Sequence, residues 1–220
     1  MKKGSDKEIE ISEELSNIPI EEFAELPENI EGEVTDLEFK GINHIQLTPE
    51  ILKNIYPNVT ISRIFKYIDY LNVYINEYEI NTEVRLQMFL AQIGHESGQL
   101  RYVEELASGE AYEMRKDLGN IYRGDGVKFK GRGLIQITGR YNYTEISKDL
   151  RYDFVNDPKA LSEPQWAVKS ACWFWQKRNL NAVADTHDFR RVTRIINGGY
   201  NGMEDRLRLY ELCKKHIQYA

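Results

Sequence analysis

Cysteine, histidine and proline are scarce in this chain of 220 residues, which has two, four and six of them respectively. Cys172 and Cys213 stand in neither a metal-type nor a redox-type spacing. Cys172 lies in the apolar run Ala171-Cys172-Trp173-Phe174, so a buried free thiol is expected, with a disulfide to Cys213 as the alternative. The histidines are too scattered for a metal site, and no metal or other cofactor is expected. No run of about 18 apolar residues occurs, which argues against a membrane-spanning helix. Lys2 and Lys3 are not followed by the apolar stretch that a secretory signal requires. If the substrate lies outside the cytoplasm, release or delivery by other machinery is expected. Nothing is basic enough to point to a nucleic-acid partner.

Charge is present but unevenly placed. Residues 1–40 hold 13 acidic and four basic side chains, whereas the net charge of the whole is −6, so the remainder is about +3. The acidic stretch contains Pro19 and Pro27 and no sustained period, so it reads as a tether. Short helical turns around Ile9–Leu15 or Ile20–Leu26 would fit within it. One globular domain is expected over 41–220, starting near Gly41–Leu47. Its weakly basic balance suits a polyanionic polymer, and an ordinary solvated surface equally well.

That domain reads as mainly α-helical. Thr48-Pro49-Glu50 combines a hydroxyl cap, a proline at the first helical position and an early acid; the helix should stop before Pro57. Thr60 should cap the next, whose apolar face is Ile61, Ile64, Phe65, Ile68, Leu71 and Ile75. Thr82 should cap a third, apolar around most of its circumference and therefore central and buried. Ser162-Glu163-Pro164-Gln165 has the form of a capping box before Ala167–Trp175. His187–Ile196, ended by Asn197-Gly198-Gly199, and Glu204–His216 complete the set. Over 98–142 glycines and charges break the period; loops are expected there, with a small hairpin around Val127–Ile137.

The third helix ends in Gly94-His95-Glu96-Ser97-Gly98. A carboxyl at the boundary between core and cleft is suited to general acid work, although a helix-terminal glutamate bonded to a neighbour is the commoner case. A zinc-protease motif would need a second histidine four residues after His95; Gln99 stands there. Glu104-Glu105 follows in a loop-like stretch, and glycan cleavage commonly uses two carboxylates. The run from Lys130 to Tyr143 offers Gln136, Thr138, Asn142 and tyrosines, uncharged groups that hydrogen-bond and stack on sugars. Gln136 and Thr138 would share a face if the segment were a strand.

His95-Glu96-Ser97-Gly98, the run Gly131-Arg132-Gly133-Leu134-Ile135-Gln136-Ile137-Thr138-Gly139-Arg140, Ile196-Asn197-Gly198-Gly199 and Asp205-Arg206 together resemble the family 19 chitinases, in the branch found in bacteriophage endolysins. The resemblance implies a lysozyme-like, two-lobed helical fold and inverting hydrolysis of β-1,4 glycans without a cofactor. It implies Glu96 as general acid, Glu105 as the carboxylate that activates water and Thr138 as a hydroxyl that helps hold that water. Gln136, Asn142 and Asn197 match substrate-binding residues; His95 and Arg206 match residues that shape the acid's surroundings and belong to the same binding set. The chain lacks the disulfide cysteines of the plant enzymes, and its second glutamate comes sooner. Peptidoglycan glycan strands are therefore the expected partner of a monomeric enzyme acting in the periplasm or on the wall. The acidic segment leaves room for a delivery apparatus or an immunity protein. Chitin hydrolysis, lytic transglycosylation and an inactive glycan-binding module remain as alternatives, and a slip of one residue would exchange Glu104 with Glu105.

Overall fold

A computed structural model describes residues 45–218, which lie in one compact unit. The acidic stretch and the helical turns expected around Ile9–Leu15 and Ile20–Leu26 lie outside the described residues. The described chain is mainly helical: α1 (Pro49–Ile55), α2 (Ile61–Glu77), α3 (Glu83–Glu96), α4 (Asp125–Lys128), α5 (Arg140–Leu150), α6 (Pro164–Lys177), α7 (Leu180–Ala184), α8 (Phe189–Asn197) and α9 (Met203–His216). Single 3-10 turns occupy Glu110–Tyr112, Lys116–Leu118 and Pro158–Ser162.

Three threonines start the first three helices as the sequence implies. Thr48 accepts from the amide of Ile51 at 3.2 Å, Thr60 from Arg63 at 3.3 Å and Thr82 from Arg85 at 3.4 Å. Each such cap is worth about 1 kcal/mol. Burial weighs more, because a fully buried Leu, Ile or Phe side chain contributes about 1.5–3 kcal/mol. In α3 every residue from Leu86 to Gly94 is buried, so this helix is the axis on which the rest is assembled. α9 packs along it, and Gln87 donates to the carbonyl of Ile217 at 2.8 Å. Phe89 meets Trp175 of α6 edge-on with 5.4 Å between ring centres. The hydroxyl of Tyr56 donates to the carbonyl of Leu90 at 2.6 Å. Gly94 makes that approach possible: a Cβ there would lie 2.4 Å from the Tyr56 ring. Cys172 and Cys213 are both buried free thiols, which settles against the disulfide.

Four local expectations need correction. Phe65 is 52 % exposed. The buried face of α2 is Ile64, Tyr67, Ile68, Leu71, Tyr74 and Ile75, which leaves Phe65 roughly a third of a turn from the centre of that face. The capping box before α6 does not form. Ser162 closes the preceding 3-10 turn and donates to the carbonyl of Val103 at 3.3 Å, while Glu163 stands at the cap without a side-chain bond. The hairpin around Val127–Ile137 is absent. Val127 belongs to α4, and among the described residues only two isolated antiparallel bridges occur, Glu104 with Arg132 and Arg132 with Ile137. Finally, α5 and α7 were not expected. The spacing of Tyr143, Ile146 and Leu150 carries the signal for α5, masked by the glycines just before it. Gly139 sits at φ 90° with the carbonyl oxygen of Leu118 only 2.6 Å from where a Cβ would be, so α5 can begin there only from glycine.

Candidate active site

Glu96 is the last residue of α3, and the chain leaves it through an unusual turn. Gly98, Gln99 and Leu100 follow one another at φ 57°, 62° and 65°. Two of the three are not glycine, and each such residue costs about 1–2 kcal/mol. The surroundings hold the turn closed. Ser97 donates to the carbonyl of Ile93 at 2.6 Å and accepts from the amide of Leu100 at 2.8 Å. The side chain of Gln99 accepts from the amide of Asn58 at 2.8 Å, and Leu100 is buried. Strain kept in place by so many contacts marks a position where local direction matters more than local stability. Here it turns the chain sharply after Glu96.

The carboxylate of Glu96 is ion-paired through Oε1 to Arg206 of α9. Arg206 is 1 % exposed, and its guanidinium meets Glu96 beneath the surface. Its other nitrogens are spent on the side-chain oxygen of Gln92 and, at 3.2 Å, on the carbonyl of Asn201. Gln92 in turn donates to Thr193 at 2.8 Å. Because Gln92 precedes Glu96 by four residues, both face the same way from α3. Among the described residues nothing hydrogen-bonds to Oε2 of Glu96.

His95 contacts Asp205 through Nδ1 at 2.7 Å. Burial opposes ionisation of Asp205, but the bond with His95 and the nearby Arg208 outweigh it and hold its carboxyl below the usual carboxylate range. The ring of His95 lies against Gly202, where a Cβ would stand 2.2 Å from two ring atoms.

The acidic pair divides its work. Glu104 is bound to Lys130 at 3.2 Å and Arg132 at 3.1 Å. Burial would raise its pKa, yet these two cations prevail and hold it low. Arg132 is itself buried and donates to the hydroxyl of Tyr143 at 3.0 Å. Glu104 is thus a fastening of the loop to the body. Glu105 makes no ion pair among the described residues. It accepts from the hydroxyl of Tyr112 at 2.9 Å and from the amide of Gly131 at 3.1 Å. Burial and the bond to Glu105 both push the Tyr112 phenol up, so it stays a donor.

Gly131 is the point over which the second group of candidates gathers. A Cβ there would lie 2.7 Å from Oε1 of Gln136, 3.3 Å from Oε2 of Glu105 and 3.3 Å from Oγ1 of Thr138. Gln136 and Thr138 converge although the segment is not a strand. Gln136 adopts φ 59° and donates to the carbonyl of Gly133 at 3.0 Å, and Thr138 donates to the carbonyl of Gln136 at 2.9 Å. Asn142 is tied on by a 2.8 Å bond to the carbonyl of Thr138. Asn197 ends α8, and its side-chain oxygen accepts from the amide of Asn201 at 3.2 Å. The same Asn201 offers its carbonyl to Arg206, so Asn197 adjoins the group around Glu96.

Sequence reasoning missed Gln92, Thr193, Ser97, Tyr112 and Gly202. The four-residue step from Gln92 to Glu96 could have revealed one of them; Tyr112 lies in a loop whose return path no periodicity encodes.

Comparisons with known proteins identify the family and the fold. A family model described as chitinase class I matches residues 83–190. A glycosyl hydrolase family 19 domain-containing protein of Haemophilus influenzae is 35 % identical over 154 residues, covering 56 % of this chain and 75 % of that protein. An endochitinase of Arabidopsis thaliana is 39 % identical over 117 residues, covering 50 % of this chain but only 38 % of its own length. Among solved structures, chitinase C of Streptomyces griseus superposes with a TM-score of 0.62 at 22 % identity, covering 77 % of this chain and 75 % of that one. A class IV chitinase from Zea mays gives 0.61 at 23 % identity, covering 77 % and 92 %. These two establish the likeness of fold.

Proposed function

Since the chain belongs to glycosyl hydrolase family 19, we propose that it hydrolyses β-1,4 bonds of peptidoglycan glycan strands by inversion, with Glu96 as general acid and Glu105 as general base. The carrying observation is that the two carboxylates sit in separate hydrogen-bond frames. Glu96 is set by Arg206, and Glu105 by Tyr112 and the amide of Gly131. No hydrogen bond joins them among the described residues, so they are not a proton-sharing pair.

In this reading Oε2 of Glu96 gives a proton to the glycosidic oxygen as the bond to the anomeric carbon breaks. Glu105 takes a proton from a water held with the help of Thr138, and the water oxygen bonds to that carbon from the opposite face. Arg206 holds Oε1 of Glu96, which leaves Oε2 as the atom available to the substrate. Tyr112 and the Gly131 amide fix the direction of Glu105, and proton exchange with solvent resets both groups. Gln136 and Asn142, placed beside Thr138, would orient the sugar. Stripping any of these side chains costs positioning, which matters because a small misplacement of reacting atoms can cost about a hundredfold.

Peptidoglycan is preferred because the body of the chain carries a small positive charge and because its motifs resemble the endolysin branch. Chitin is the second reading, favoured by the names of the plant relatives. Digestion of purified sacculi beside purified chitin, with mass spectrometry of the products, separates them. Ordinary reducing-end muropeptides are expected. Anhydro-muramyl products would mean a transglycosylase, and cleavage of chitin alone would mean a chitinase.

A further inference from the structure

Beside Asn142 a cavity of about 200 Å³ opens between α5 and α6, with Tyr141, Trp173, Phe174, Lys177 and Arg178 in its wall. Asn142, which lines it, donates to the carbonyl of Thr138 in the second group of candidate residues.

The charges around this cavity are matched with one exception. Lys177 lies 2.9 Å from Asp149 and 3.6 Å from Glu145, the one carboxylate in the wall. Glu145 also meets Lys148 at 3.2 Å. The indole of Trp173 is fixed by a 2.8 Å bond to Asp149. Arg178 is exposed and pairs with no carboxylate among the described residues; its guanidinium lies over the Phe174 ring at 5.3 Å. An aromatic wall and an amide suit an N-acetylated sugar ring. A neutral sugar leaves the unmatched guanidinium without a partner, whereas a carboxylate would meet it in the geometry that arginine favours.

We propose that this cavity is a specificity site for a carboxylate-bearing N-acetyl sugar of the wall glycan, with Arg178 as the ion partner of the carboxylate. The carboxylate is either that of the lactyl ether or that of the attached peptide. The inference rests on the peptidoglycan reading above and adds the residue that would separate wall glycan from chitin.

The test compares wild type, Arg178→Gln and Arg178→Lys on three substrates: solubilised glycan strands with peptides, the same strands after amidase treatment, and chitohexaose. The quantity read is kcat/KM on strands divided by kcat/KM on chitohexaose. Arg178→Gln should lower this ratio about fivefold, as expected for one partly exposed ion pair, with the change in KM. Arg178→Lys should recover most of it, because the charge is kept. An effect that appears only on amidase-treated strands, where hydrolysis has freed the lactyl carboxyl from its amide bond, identifies the lactyl carboxylate; its confinement to peptide-bearing strands identifies the peptide. An unchanged ratio in Arg178→Gln, or an equal loss on strands and chitohexaose, overturns the site while leaving the peptidoglycan reading intact. A wild type that cleaves chitohexaose and no wall glycan overturns both.

Discussion

Arg206 and Glu96 form an ion pair whose guanidinium is 1 % exposed and whose carboxylate is 18 % exposed. The arginine also satisfies Gln92 and the carbonyl of Asn201, so one side chain ties α9, α3 and the turn between α8 and α9 to the acid.

Removing Arg206 and neutralising Glu96 should have opposite signatures. Arg206→Ala strands a carboxylate and an amide in a buried place, and a loss of about 3–5 kcal/mol is expected in urea unfolding. Glu96→Gln keeps an acceptor for Arg206 though not its counter-charge, so it should still fold, with a smaller loss of stability than Arg206→Ala. Its glycan-cleaving rate should fall by about 10²–10⁴-fold, the contribution of a general acid.

Gly202 tests the role of His95. Gly202 stands at φ 70°, and a Cβ would press on the imidazole at 2.2 Å. Gly202→Ala should push His95 off Asp205, with about 1–3 kcal/mol lost and activity reduced. Gly124→Ala provides the comparison, because that glycine has φ 91° and no atom within 4 Å of the new Cβ. It should cost about 1 kcal/mol of backbone strain, with far less effect on turnover.

Adjacent glutamates should separate cleanly. Glu104→Gln loosens the attachment of the loop to Lys130 and Arg132 and should be read mainly in thermal unfolding. Glu105→Gln should leave the unfolding curve nearly unchanged while hydrolysis is almost abolished and glycan binding persists. Reversal of the two phenotypes would make Glu104 the chemical group.

Asp125 should dominate the acid sensitivity of the loop before Gly131. It is 3 % exposed, bonded to Arg140 at 2.5 and 2.8 Å, and accepts from the amides of Ile121 and Tyr122 at 3.0 Å each. The hydrogen bonds from Arg140 are the chief reason its pKa lies below 3.8, with burial opposing. A depressed folded pKa stabilises fully above the unfolded value and is lost as pH falls through the folded one. The stability gap between wild type and Asp125→Asn should therefore be constant above about pH 5 and close as pH falls below 3.8. A gap that widened on acidification would contradict the ion pair.

Much of the helical frame was legible because its signals are local. Thr48, Thr60 and Thr82 mark starts that need only a hydroxyl and a free amide, and the apolar girth of α3 requires burial whatever surrounds it. The loop from Gly98 to Gly139 was legible only in composition. Its course depends on bonds between residues far apart, such as Arg140 with Asp125 and Lys130 with the carbonyl of Glu105. Glycines and charges break the helical period there, which suggests a hairpin, but Arg132 bridges two neighbours singly and no ladder grows. The candidate acid was visible at the end of α3. The frame around Glu105 was not, because Tyr112 reaches it across a turn that begins at Gly109 with φ 87°.

The proposed roles of Glu96 and Glu105 require direct attack by a water on the face opposite the leaving group. Proton NMR of the reducing end, recorded during the first minutes of glycan cleavage, reads that stereochemistry. The α-anomer should appear first and the β-anomer only as mutarotation proceeds. Initial release of the β-anomer, or of a 1,6-anhydro sugar, would contradict the assignment of Glu105 as the base that activates water.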